Sequence, residues 1–174
     1  MSSIRYIVRG LIDGSLSTLG VVLGAAISGD PLIVVSAGLG GGIANGLSNI
    51  LGALSAERAG VMIKLKKSED HMVGHNVNLK ETEIYKKERK IVMRSGLYDG
   101  ISTTMGAILP VAPFYLFDFT SAIYASVILT LALLFIIGIY IGKLSRENLV
   151  FAGAKMAAFG LATAAVAYAL TMLF

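Results

Sequence analysis

The stretch Arg9-Gly-Leu-Ile-Asp-Gly-Ser-Leu-Ser-Thr-Leu-Gly20 places a carboxylate, Asp13, at the start of a long apolar run. The pattern returns 86 residues later as Gly96-Leu-Tyr-Asp-Gly-Ile-Ser-Thr-Thr-Met-Gly106, with six identities in eleven ungapped positions. An ionisable side chain in a membrane segment is costly unless it faces a polar path or a partner. We therefore predict that Asp13 and its repeat equivalent, Asp99, mark a functional site.

The composition around this repeat is that of a membrane protein. Of the 174 residues, 55% are hydrophobic and 15% are charged, and the mean hydropathy is +0.75. Such a chain is too apolar for an ordinary soluble domain of this size. The absence of cysteine excludes disulfides, thiolate metal sites and thiol catalysis.

Five segments are long enough to cross about 30 Å of hydrocarbon, which takes roughly 20 helical residues. They are residues 10–29, 32–55, 94–116, 120–142 and 149–173. We predict an all-α polytopic membrane protein with transmembrane helices 1 and 2 in residues 1–55, a short charged helical insertion in 56–93, and helices 3 to 5 in 94–174. Pro110 and Pro113 predict a kink or an early end of the third helix.

With five spans, all fifteen Lys and Arg residues fall on one side of the membrane. The positive-inside rule identifies that side as the cytoplasm. The N-terminus is then expected in the cytoplasm and the C-terminus on the opposite side, in the cell membrane if the source is prokaryotic. Since the net charge of +4 follows this membrane pattern, we expect a lipid bilayer and no nucleic acid as a partner.

The second segment carries small and amide residues on one helical face. They are Gly38, Gly42, Asn45, Asn49 and Gly52. Small residues admit a neighbouring helix, and asparagines supply hydrogen bonds or neutral oxygen ligands. This face is either a packing surface or part of a solute path. Likewise, Asp13 and Asp99 either line a path or cap helix ends and pair with Arg9 or Arg94.

The charged insertion offers a second set of oxygen ligands. Glu57, Glu81 and Glu88 carry carboxylates of the kind that hard divalent cations prefer. Neighbouring lysines make a solvated, salt-bridged helix the alternative interpretation.

In order and spacing, these features resemble the vacuolar iron transporter family of five-span divalent-metal carriers. The resemblance rests on Asp13-Gly14, on Ala37-Gly38-Leu39 followed by small residues up to Ser48, on the charged insertion, and on Pro110 to Phe114. It implies a homodimer with a metal path between protomers, Fe(II) or Mn(II) exchanged from the cytoplasm against protons, and Asp13 as a metal ligand. The chain departs from the family pattern where an acidic residue becomes Gly41 and a methionine becomes Asn49.

Together these points predict a proton-coupled exporter of Fe(II) or Mn(II), with the metal as cargo and no permanently bound cofactor. Asp13 would bind the cation and take up a proton when it leaves, and Asp99 would assist. Asn45, Ser48 and Asn49 would supply neutral oxygens along the path.

Two other functions are weighed against transport. One is a non-transporting membrane scaffold or regulatory subunit, favoured by the glycine faces and the changed ligand positions. The other is an intramembrane aspartyl protease using Asp13 and Asp99 as a dyad. Since the sequence lacks Gly-x-Gly-Asp, Pro-Ala-Leu, HExxH and GxSxG motifs, no catalytic residues and no enzymatic activity are expected.

Overall fold

The computed structural model describes residues 2–71 and 83–173. These residues form five α-helices, which confirms the all-α prediction. The helices are α1 (Ser2–Ala25), α2 (Pro31–His71), α3 (Glu83–Val111), α4 (Phe119–Ser145) and α5 (Leu149–Thr171). Short 3-10 turns follow α1 and α3, at Ala26–Ser28 and Ala112–Tyr115.

Four helical stretches of the described chain are long and apolar enough to cross a membrane. They are Ile4–Ser28, Pro31–Ala56, Phe119–Ser145 and Leu149–Thr171. The chain is therefore a multi-pass membrane protein, and its number of helices agrees with the predicted five spans.

The remaining helix, α3, is less apolar because one of its faces packs against other helices. On that face Asp99 and Thr103 are fully buried, whereas Ile101 and Met105 on the opposite face are about half exposed. A polar buried face and an apolar exposed face suit a membrane helix in the interior of a bundle.

The contact between α1 and α3 is close because glycines line it. A Cβ atom added at Gly14 would strike the backbone of Thr103, and one added at Gly106 would lie 2.6 Å from the Leu11 carbonyl oxygen. Gly10 also faces the α3 backbone, near Asp99. Contacts advance together along both helices, so α1 and α3 run parallel.

On its other side, α3 packs antiparallel to α2. Gly38 and Gly42 of the predicted α2 face are buried against Val111 and Ala107. Gly52, which was predicted on the same face, does not pack against another helix, because no atom lies within 4 Å of a Cβ atom added there. A glycine outside the predicted face, Gly46, makes the close approach instead, and its carbonyl oxygen lies 2.5 Å from a Cβ added at Gly100.

Both helices that border the charged insertion extend beyond the predicted spans. The 41 residues of α2 correspond to about 60 Å, twice the hydrocarbon thickness. In contrast, α3 ends at Val111, which confirms the early end predicted from the prolines. The Ser126 hydroxyl of α4 donates to the Pro110 carbonyl at this end.

The last two helices form an antiparallel hairpin with close glycine contacts. A Cβ atom at Gly138 of α4 would lie 2.6 Å from the Ala152 carbonyl oxygen of α5. Asp118 caps the start of α4, and hydrogen bonds from the Ser121 hydroxyl and backbone N–H lower the pKa of this exposed carboxyl.

Candidate functional site

Asp13 lies at the junction of α1 and α2, where two asparagines hold one of its oxygens. The side-chain amide of Asn45 donates to Asp13 Oδ2 at 2.9 Å, and that of Asn49 donates to the same atom at 2.6 Å. The other carboxylate oxygen, Oδ1, takes part in neither bond. The half-buried carboxylate is therefore held by neutral donors.

Further polar groups extend this arrangement in two directions. Asn45 also donates to the Ser17 hydroxyl at 2.9 Å, on the same α1 face one turn beyond Asp13. Asn49 donates to Thr103 Oγ1 at 3.0 Å, and Thr103 in turn donates to the backbone carbonyl of Asp99 at 2.8 Å. We call Asp13, Ser17, Asn45, Asn49 and Thr103 the Asp13 cluster.

Asp13 lies within the first helical stretch that is long and apolar enough to cross a membrane, Ile4–Ser28. A carboxylate in such a segment is costly without polar neighbours, which Asn45 and Asn49 supply.

Asp99 is in a different environment from Asp13. It is completely buried between α1 and α3, and Arg9 pairs with both of its oxygens. Arg9 Nε donates to Oδ1 at 3.1 Å and a terminal guanidinium nitrogen donates to Oδ2. For Asp99, the arrangement observed is the ion pair with Arg9 that the sequence left open.

The other predicted site residues are distributed as follows. Asp13, Asn45 and Asn49 come together, whereas Ser48 lies on the exposed side of α2. Glu57 and Glu88 fall within α2 and α3, but their side chains lie outside the described part of the chain. Glu81 lies outside the described residues altogether.

The chemistry available at the Asp13 cluster is that of one anionic oxygen donor among neutral oxygens. Among the side chains that the structure describes, no three of His, Asp or Glu come close enough to hold a metal ion together. Carboxylate, amide and hydroxyl oxygens suit hard cations such as Mn(II) and Mg(II) better than soft ones.

The partners of Asp13 and Asp99 can be compared with the arrangement that an aspartyl protease dyad needs. Such a dyad needs two carboxylates that share a proton. Here Asp99 is engaged on both oxygens by Arg9, and Asp13 is held by Asn45 and Asn49. The two carboxylates are committed to different partners.

Sequence reasoning missed the glycines that place these carboxylates. Gly10 and Gly14 lie four residues apart on either side of Asp13 in sequence, and Gly96 and Gly100 do the same around Asp99. This small-xxx-small spacing is a known signal for close helix contact in membranes. Here it brings α1 against α3, and α3 against α2.

Fold and site define a class: a helical multi-pass membrane protein with a carboxylate held by two amides within its first membrane-spanning helix. The model of the VIT family matches residues 53–172. An uncharacterised protein of Methanocaldococcus jannaschii is 52% identical over 173 residues, which are 99% of this chain and 91% of that protein. The chain therefore belongs to the VIT family, whose members are membrane transporters of metal ions and not enzymes.

Proposed function

We propose that the protein transports a divalent metal ion, Fe(II) or Mn(II), through the Asp13 cluster. The proposal rests on the difference between the surroundings of Asp13 and those of Asp99. The ion pair in the described residues is made by Asp99 and Arg9, and Asp13 has only neutral hydrogen-bond donors. A carboxylate in a membrane-spanning helix that has no ion-pair partner is suited to bind and release a cation.

The asparagines give the cluster two states. In the structure, both amides direct their N–H groups toward Asp13 Oδ2. When a cation binds the carboxylate, turning an amide over presents its carbonyl oxygen as a neutral ligand. Asn45, Asn49 and the Ser17 hydroxyl would then complete an oxygen shell suited to Mn(II) or Fe(II).

Proton exchange follows from the chemistry of a single carboxylate. Asp13 binds a cation as an anion, and it takes up a proton to become neutral when the cation leaves. The carboxylate offsets part of the charge of the bound divalent cation, and the protonated site is neutral. We propose export from the cytoplasm, with the N-terminus on the cytoplasmic side, because the basic residues segregate to that side. Glu57, Glu81 and Glu88 would gather cations there before entry.

We further propose that two copies assemble with α1 and α2 at their interface. The exposed side of these helices carries small residues next to the Asp13 cluster, including Gly24, Gly41, Ala44, Ser48 and Gly52. Beside them, Ser17, Gly20 and Gly24 line a groove of about 600 Å³ between α1 and α5. Small residues let membrane helices approach closely, and this packing would place Ser48 on a shared path.

Disulfide cross-linking tests the dimer, because the natural chain contains no cysteine. A Ser48→Cys variant in membranes should cross-link efficiently to a second copy. Ile128→Cys, which is also exposed but lies on α4, is the control and should remain a monomer on oxidation. Equal cross-linking of the two variants would contradict the proposed interface.

The transport proposal is tested with purified protein in liposomes that enclose a metal-sensitive dye. Under a pH gradient with the acidic side inside, Mn(II) should enter vesicles containing the protein. Asp13→Asn should reduce entry to that of empty vesicles. Asp118→Asn is the matched control, because asparagine is as good a helix cap as aspartate at that exposed position. Uptake by Asp13→Asn equal to that of the control would refute the role of Asp13.

A non-transporting scaffold is the second candidate function, and one observation favours it. The described residues bring no three acidic or histidine side chains together, and Asp13 already has hydrogen-bond partners. Calorimetric titration with Mn(II) separates the two functions. Absence of binding, together with co-purification of another membrane protein, would favour the scaffold.

A further inference from the structure

Two carboxylates of the bundle lie within reach of one guanidinium. Arg9 pairs with Asp99 across the α1–α3 contact, and it also precedes Asp13 by four residues on α1 itself. Side chains four apart on a helix are surface neighbours. The guanidinium accordingly lies within electrostatic range of Asp13 as well as Asp99.

The position of the Arg9 guanidinium is set by Asp99 more than by packing. The Arg9 side chain is 60% exposed, whereas Asp99 is fully buried in a fixed place against α1. The Tyr6 ring adds a contact, with its centroid 5.8 Å from the guanidinium carbon. The adjacent Gly10 holds the α1 backbone tightly against α3. Thus the helix is fixed, but the long side chain has room to turn.

We infer that Asp99 is a positioning residue that holds Arg9 away from Asp13 and so keeps Asp13 available for a cation. The inference rests on the proposed function of Asp13. A guanidinium and a metal ion compete for the same anion, and two-point pairing of arginine with a carboxylate is among the strongest hydrogen-bonded contacts. Without Asp99, Arg9 turns to Asp13 and neutralises it.

The test measures Mn(II) affinity of the purified full-length protein. Asp99→Asn should weaken binding about tenfold or more, because the freed Arg9 then pairs with Asp13. Adding Arg9→Gln to this variant should restore the affinity to within about threefold of the natural protein. Unchanged affinity in Asp99→Asn, or a double variant as weak as the single one, would overturn the inference.

A second pair of variants keeps Asp99 in place in case its replacement prevents folding. Lysine cannot pair with a carboxylate at two points, so the ammonium group in the Arg9→Lys variant should pair with Asp13 part of the time. This pairing should weaken Mn(II) binding. Arg9→Gln should bind Mn(II) at least as tightly as the natural protein. A purely structural role for Arg9 predicts the opposite order, and that order would overturn the inference.

Failure of the proposed function is recognised separately, as absence of Mn(II) binding by the natural protein. Arg9 is then followed by the NMR signal of its side-chain Nε–H group without any metal. Asp13→Asn should shift this signal clearly more in the Asp99→Asn background than in the natural background. An equal shift in both backgrounds would overturn the inference, whatever the protein transports.

Discussion

Asp13 and Asp99 occupy equivalent places in two copies of one sequence pattern, yet their surroundings differ. Asp13 faces α2 and accepts hydrogen bonds from two neutral amides. Asp99 faces α1 and is paired with a guanidinium. The repeat therefore determines the position of each carboxylate in its helix. The helix packed against it determines whether the carboxylate is paired with a cation or with neutral amides.

The glycines of the repeat show the same division. Gly14 packs on α3, whereas its equivalent Gly100 packs on α2. These close approaches pack α3 against both α1 and α2, which also contact each other directly. The two copies thus form different helix contacts, and of their two carboxylates only Asp99 has an ion-pair partner.

The largest expected effect separates the two carboxylates in transport. Asp13→Asn should reduce Mn(II) uptake on the order of a hundredfold, because the anionic ligand is lost. Asp99→Asn should reduce it only about tenfold, through Arg9. Initial rates of dye quenching in proteoliposomes, at equal protein density, measure both. Equal losses would remove the distinction between the two residues.

The next largest effect is on stability, for which we expect the Arg9–Asp99 pair to matter more than Asp13. Arg9→Gln leaves a buried Asp99 carboxylate without its counter-charge, which should cost about 3 kcal/mol of unfolding free energy. Asp13→Asn should cost less than about 1 kcal/mol, because its neighbours are neutral and can bond to an amide. Denaturant titration in detergent micelles compares them. A larger cost for Asp13→Asn would show that Asp13 is the structural carboxylate.

A smaller effect tests the glycine contact that positions both residues. Gly14→Ala directs a methyl group into the Thr103 backbone and should destabilise the fold by about 2 kcal/mol. Gly24→Ala is the control on the same helix, since nothing lies within 4 Å of its missing side chain. Thermal unfolding followed by circular dichroism distinguishes them. Similar melting temperatures would contradict the close α1–α3 approach.

The smallest effect ranks the two asparagines of the Asp13 cluster. Asn49 is also tied to Thr103, whereas Asn45 is tied to the exposed Ser17. Because Asn49 is the better oriented of the two, Asn49→Ala should weaken Mn(II) binding about fivefold and Asn45→Ala about twofold. Isothermal titration resolves the difference, and an inverted order would place the cation nearer Ser17.

Much of the fold follows from the sequence, for identifiable reasons. Apolar length and charge asymmetry identified the helices, and Pro110 and Pro113 identified where α3 ends, because a proline cannot donate the helical hydrogen bond. The extent of α2 beyond the membrane was less definite, since polar residues favour helix and solvated loop alike.

The site was only partly predictable. Sequence spacing placed Asn45 and Asn49 on one face, and the structure brings that face to Asp13. Spacing within one helix does not state which neighbouring helix that face meets, so Ser48 was grouped with residues it does not join. For the same reason, Arg9 and Arg94 were equal candidates for Asp99 until the packing of α1 on α3 was known.

The central claim is that Asp13, and not Asp99, is the carboxylate that carries the cation. The most direct test measures Mn(II) entry into proteoliposomes for two double variants that share Arg9→Gln, so that no guanidinium competes. The account predicts that Arg9→Gln with Asp99→Asn transports Mn(II) at close to the natural rate and that Arg9→Gln with Asp13→Asn does not transport it. Transport by the Asp13→Asn double variant, with loss in the Asp99→Asn double variant, would contradict the account.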